Sequence, residues 1–124
     1  MFIEYNPNPE KRNVGDCAVR AISKALNIGW KKAYAILATY GYKMADIMNS
    51  NAVIDAVLVE HGYNRYQISN ICQICYTIKD FCREFPVGEY VVCTGNHVVT
   101  IINGNVYDAW DSSKEIPVIV WKRR

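Results

Sequence analysis

Asn13-Val14-Gly15-Asp16-Cys17-Ala18-Val19-Arg20-Ala21-Ile22 reads as a tight turn that runs directly into a helix. Gly15 gives the turn its freedom of φ. Asp16, or Asn13 just before it, is suited to cap the orphan N–H groups of the first turn. Val19, Ile22 and Leu26 recur at helical spacing with Ala18, Ala21 and Ala25 beside them. One face of a helix from about Asp16 to Leu26 is therefore apolar and small, and it packs into a core. Its N-terminus then lies at the rim of that core, with Cys17 in the first turn. A helix N-terminus carries roughly +0.5 of an elementary charge. That charge favours a thiolate, the nucleophilic form of cysteine. The exposed N–H groups can also hold a developing oxyanion. Cys17 is thus a candidate nucleophile that needs a base from elsewhere in the chain.

Outward from this stretch, the pattern predicts helices first and strands later. Residues 1–12 read as an extended, polar lead-in, because Asn6 and Asn8 each precede a proline and are pushed out of the α region. A second helix starts near Trp30, carries Ala33, Tyr34, Ile36, Leu37 and Tyr40, and ends at Gly41. Residues 42–50 connect it to a third, which opens around Ser50 or Asn51, presents Val53, Ile54, Val57 and Leu58, and stops at Gly62. Tyr63 to Ser69 is read as a short strand. Thr77-Ile78-Lys79-Asp80 resembles a capping box for a helix from Ile78 to Phe85, closed by Pro86 and Gly88. The period then changes to two. Glu89–Thr94 is a strand, His97–Ile102 and Asn105–Trp110 form a hairpin around Asn103-Gly104, and Val118–Trp121 is a last strand. This order predicts an α+β class with N-terminal helices packed on a C-terminal antiparallel sheet, a single domain over residues 1–124.

Composition narrows the function classes. Half of the residues are hydrophobic and the net charge is +2, with three of the cations in Lys122-Arg123-Arg124. No basic stripe argues for nucleic acid, and the nine tyrosines are scattered rather than gathered into a stacking platform. No apolar run reaches the ~18 residues of a membrane span. The opening Met1-Phe2-Ile3-Glu4-Tyr5-Asn6 lacks the features of a signal peptide, and five cysteines cannot all pair within the chain. Both point to a cytoplasmic protein. Oligomeric state is left open.

Two histidines are available as the base. His61 stands beside Gly62 at the end of the third predicted helix, where a favourable dipole interaction accounts for it. His97 follows Gly95-Asn96 and precedes the apolar run Val98–Ile102. If Asn103-Gly104 is a two-residue turn, Ile102 faces Asn105, Val99 faces Asp108 and His97 faces Trp110. Alternation then places His97, Val99, Asp108 and Trp110 on one face. Asp108 becomes a diagonal neighbour of His97, roughly 7–8 Å away at the backbone. A carboxylate there can hold the imidazole tautomer. With a turn one residue longer, Asp111 faces His97 instead. Asp108 is preferred and Asp111 is the fallback. Trp110 either covers the His97–Asp108 pair or belongs to the core. Arg20, one helical turn after Cys17, either lowers the thiol pKa or makes an ion pair. Cys72-Gln73-Ile74-Cys75 has metal or redox spacing, but no second pair completes a zinc set, so it reads as structural, and no metal or cofactor is expected.

A cysteine opening the first helix, a histidine far downstream on a strand and an aspartate on the next strand is the chain order of papain-like cysteine peptidases. The Gly15-Asp16-Cys17 start, Pro86-Val87-Gly88-Glu89-Tyr90, Gly95-Asn96-His97-Val98-Val99 and Val106-Tyr107-Asp108-Ala109-Trp110 resemble small papain-like proteins common in bacteriophages and bacteria. The resemblance spans about residues 13–121. It implies a catalytic triad of Cys17 as nucleophile, His97 as general base and Asp108 as orienter, in a thiol protease or related hydrolase acting on a peptide or protein substrate. Papain-type enzymes also supply a Gln to the oxyanion hole about six residues before the cysteine. Lys11 stands there and no Gln precedes Cys17, so Asn13, the nearest amide, takes that part with the Cys17 N–H. The alternative is a papain-fold binding module with little or no turnover, such as a phage protein that engages a host factor. Intact Cys17, His97 and Asp108 weigh against it.

Overall fold

The computed structural model describes residues 1–68 and 75–124. Three helices precede the main run of strands: α1 (Cys17–Leu26), α2 (Trp30–Met44) and α3 (Asn51–Glu60). A fourth, α4 (Ile78–Glu84), follows β2 (Tyr63–Gln67). The strands β3 (Glu89–Cys93), β4 (Val98–Ile102), β5 (Asn105–Asp108) and β6 (Ile119–Arg123) complete the C-terminal part. The chain is α+β, as the pattern predicts. α2 passes through Gly41 instead of ending there. The glycine is used for proximity: a Cβ on it would meet the Asp46 carbonyl oxygen and the Met48 Cα at 3.0 Å. The connector therefore folds back across the last turns of α2 and delivers Asn49 and Ser50.

A first strand, β1 (Phe2–Glu4), lies inside the segment that reads as a plain lead-in. The sheet has the order β1-β5-β4-β3-β6-β2, and β1 pairs with β5 in parallel. The sheet is therefore mixed and not purely antiparallel. Three residues are too few to show a period, and β1 is held by its backbone: the Val106 N–H donates to the Met1 carbonyl and the Tyr5 N–H to the Asp108 carbonyl, both at 2.8 Å. The other pairings are antiparallel. In the hairpin Ile102 pairs with Asn105, as a two-residue turn requires. Asn103 and Gly104 both have positive φ, 50° and 75°, the conformation a primed turn demands.

The strands alternate between two cores. Val91, Cys93, Val98 and Trp121 face α1, α2 and α3. Val92, Val99, Ile101, Val106 and Val120 face away, where α4 covers them with Ile78 and Phe81. Such fully buried side chains contribute roughly 1.5–3 kcal/mol each. The two faces share the ends of β4 and β5, and α1 lies across both strands. That places the N-terminus of α1 beside the start of β4 and the end of β5. No helix among the described residues is long and apolar enough to cross a membrane.

Candidate active site

Asp16 occupies the N-cap position of α1, yet its side chain makes no capping hydrogen bond. Its carboxylate turns sideways. Oδ1 accepts from Arg20 Nη1 at 2.7 Å and Oδ2 from Trp30 Nε1 at 2.8 Å. Asn13 does not cap the helix either. The start of α1 is thus left without a side-chain cap, and Cys17, half-buried, is its first residue.

His97 immediately precedes β4 and Asp108 is the last residue of β5. His97 Nε2 and Asp108 Oδ2 are 2.7 Å apart, in a site where His97 is buried and Asp108 fully so. Nε2 is committed to Asp108, so Nδ1 is the ring nitrogen left to face the Cys17 sulfur, with which His97 interacts electrostatically. The expected trio is therefore brought together, but not by shared strand face. Val99, which alternation puts with them, packs in the α4-side core, whereas His97 and Asp108 bond to groups of α1. Alternation holds along a strand's interior. His97 lies outside β4 and Asp108 at the terminus of β5, where the chain is free to turn.

Electrostatics favour an ion pair. Burial alone raises the Cys17 pKa, but the His97 hydrogen bond, the Val98 backbone N–H and the charges of His97 and Arg20 outweigh it, and the thiol sits below its ordinary range. Burial alone lowers His97. The hydrogen bonds and charges of Asp108 and Cys17 reverse this and raise it to about 9. Burial pushes Asp108 up, and the bonds from His97 and Ser112, the His97 charge and the Ala109 N–H bring it below the usual carboxylate value.

Ser112 is not singled out by the sequence reading, whereas Arg20, expected either to lower the thiol pKa or to make an ion pair, does both. Ser112 Oγ donates to Asp108 Oδ2 at 2.6 Å. Arg20 Nε and Nη2 reach Asp108 Oδ1 at 3.2 and 3.0 Å. The four-residue spacing from Asp16 to Arg20 carries a signal for their pair. Nothing local signals a contact from Arg20 to a residue 88 positions away. Asp111, the fallback orienter, is exposed, accepts the Ser113 N–H at 3.1 Å and lines a separate depression with Lys79 and Arg83. It does not take part. The hairpin turn has two residues, so the register that would have brought Asp111 opposite His97 does not arise.

A cleft of about 580 Å³ opens over Cys17 and His97, walled by Asn13, Asn49, Asn96 and Trp110. Asn13 is exposed on this wall, within the turn before α1. Trp110 is 47% exposed and its ring lies 4.7 Å from that of His97, so it shields the imidazole and is not core. His61 is outside the site, exposed, with Nδ1 on the Val57 carbonyl at 2.6 Å. Cys72 lies outside the described residues. Among those described, no group of His, Cys, Asp and Glu is arranged to hold a metal ion.

Fold and site together define an α+β domain that carries a Cys-His-Asp constellation at the open start of a core helix. Beyond that class, no family model matches the chain, and no curated protein or solved structure does.

Proposed function

We propose that the chain is a thiol-dependent hydrolase of papain-like type, a cysteine peptidase or amidase acting on a peptide, isopeptide or other amide bond. The observation that carries this reading is the 2.7 Å His97–Asp108 hydrogen bond, with the Cys17 thiol in the same cleft as His97 and lowered in pKa by the electrostatics of its ring. The Cys17 thiolate attacks the carbonyl carbon, and the electron pair of the C=O bond moves to oxygen. The Cys17 N–H, with the Asn13 amide, holds that oxyanion. As the C–N bond breaks, the proton on His97 Nδ1 passes to the leaving amine, and a thioester remains on Cys17. Neutral His97 then takes a proton from water, whose hydroxide adds to the thioester. Collapse expels the Cys17 thiolate, releases the carboxylic acid and leaves His97 protonated again. Asp108 holds the imidazole in one tautomer through both steps. An amine in place of water turns the same cycle into acyl transfer.

The free thiols of Cys17, Cys82 and Cys93 suit a reducing, cytoplasmic setting. The resemblance to small phage and bacterial papain-like proteins supports the same class. A second reading rests on Lys11: with no Gln before Cys17, the chain serves as a papain-fold module that binds a host or phage protein without turning it over.

An activated ester separates the two. With p-nitrophenyl acetate at pH 7, the hydrolase releases nitrophenol with a burst, and mass spectrometry finds acetyl on Cys17 that turns over. His97→Ala abolishes the burst. A Cys17 acylated no faster in the wild type than in His97→Ala overturns the hydrolase reading and leaves the binding module.

A further inference from the structure

Arg20 is 6% exposed, lies in the second turn of α1 and contacts two carboxylates from different parts of the chain. Its Nε–Nη2 edge rests on Asp108 Oδ1, and its Nη1 on Asp16 Oδ1. Asp16 is fixed in turn by Trp30 Nε1, the first residue of α2. On the far side, Asp108 Oδ1 also accepts the Ala109 N–H at 2.8 Å. Oδ1 is therefore saturated, and only Oδ2 remains for His97 and Ser112.

We infer, on the proposed hydrolase reading, that Arg20 is a positioning residue of the triad: its guanidinium fixes which carboxylate oxygen of Asp108 faces His97, and its charge holds the site in the thiolate–imidazolium state. The two parts have separate origins. Aim comes from shape, because a planar guanidinium presents donors on two edges and spans both carboxylates, whereas an ammonium is a single point. Charge comes from proximity. The ionisable groups facing this pocket are Asp16 before α1, Cys17 and Arg20 on α1, His97 before β4 and Asp108 on β5. By formal charge, the carboxylates of Asp16 and Asp108 and the Cys17 thiolate face the cations of Arg20 and His97, three against two. Loss of the Arg20 cation leaves three anions facing His97 alone and disfavours the thiolate.

Two readouts separate aim from charge. The first is the pH at which Cys17 becomes reactive to iodoacetamide, read on the Cys17 peptide. The second is the downfield proton resonance of the His97 Nε2–H. In Arg20→Met the reactive limb moves up by about one pH unit and the resonance is lost. In Arg20→Lys the limb stays near the wild-type position while the resonance is lost or broadened by exchange. A variant in which reactivity falls equally at all pH values, with limb and resonance unmoved, has lost only structure and overturns the inference. If Arg20→Met does not fold, Arg20→Lys decides: an unchanged resonance overturns the inference, and its loss with the limb retained supports it. A wild-type Cys17 that is already unreactive below alkaline pH and indifferent to His97→Ala would instead fail the hydrolase reading itself.

Discussion

Two helix starts in this molecule are built from the same kind of residue and do opposite things. At α4, Thr77 accepts the Asp80 N–H and Asp80 returns the bond to the Thr77 N–H at 2.9 Å, so the capping box closes the helix on itself. At α1, Asp16 sits in the capping position and declines to cap. Its oxygens go to Arg20 and Trp30. The first turn is left open toward a cleft, and Cys17 stands in it. A closed start contributes stability and nothing else. An open start gives up the stability of a cap, roughly 1 kcal/mol, and leaves N–H groups and positive potential beside Cys17, which the proposed function uses for a thiolate and an oxyanion.

The largest effect is expected where the open start is tied to the sheet. Asp108→Ala leaves Arg20 and His97 buried without their shared carboxylate. It should destabilise the protein by about 3–5 kcal/mol in urea unfolding. A loss under 1 kcal/mol would mean that the Asp108 network is not closed in solution. Asp16→Asn sharpens the comparison further. As caps, Asp and Asn are equivalent. As the partner of a buried guanidinium, Asp is charged and Asn is not, and the loss should be about 2 kcal/mol. No loss would return Asp16 to the role of an ordinary cap.

Proton linkage gives the next effect. In the folded pair His97 keeps its proton up to about 9, and the Cys17 thiol gives its proton up below its ordinary range. The unfolded pair carries one proton, on cysteine, between the unfolded values of about 6.5 for His and about 8.5 for Cys. The two shifts oppose each other. His97, raised when folded, contributes stability present below its unfolded value and lost as pH rises through its folded value. Cys17, lowered when folded, contributes stability present above its unfolded value and lost as pH falls through its folded value. Stability should therefore change less with pH in the wild type than in a variant that keeps only one of the two groups. In Cys17→Ala only the His97 half remains, and stability should fall as pH rises above 6.5, by at most about 1.4 kcal/mol per unit. A flat curve in that variant would show that His97 is uncharged in the fold. At the closed start the effect is smallest: Thr77→Ala should cost about 1 kcal/mol and leave Cys17 alkylation unchanged. A change in alkylation there would deny that the two helix starts are independent.

What was legible in the sequence follows the range of the interactions. Asn103-Gly104 fixed the hairpin register because its turn chemistry is local, and Thr77/Asp80 is a cap within four residues. Cys17, His97 and Asp108 were legible as residue types at compatible places. Strand alternation does not join them, because it stops at the strand ends, and Val99 belongs to the other core. β1 was invisible because three residues held by backbone bonds at a sheet edge show no period. Gly41 looked like a stop because its purpose, room for the Met48 backbone, is tertiary. The Arg20–Asp108 contact joins residues 88 apart and leaves no local trace.

The most direct test of the central claim is the pH dependence of Cys17 alkylation by iodoacetamide, followed by mass spectrometry in the wild type and in His97→Ala. The account predicts a Cys17 that reacts well below its reference pKa of about 8.5 and loses that reactivity when His97 is removed. A Cys17 that stays inert until alkaline pH, or reacts the same without His97, would contradict the thiolate–imidazolium pair on which the proposed function stands.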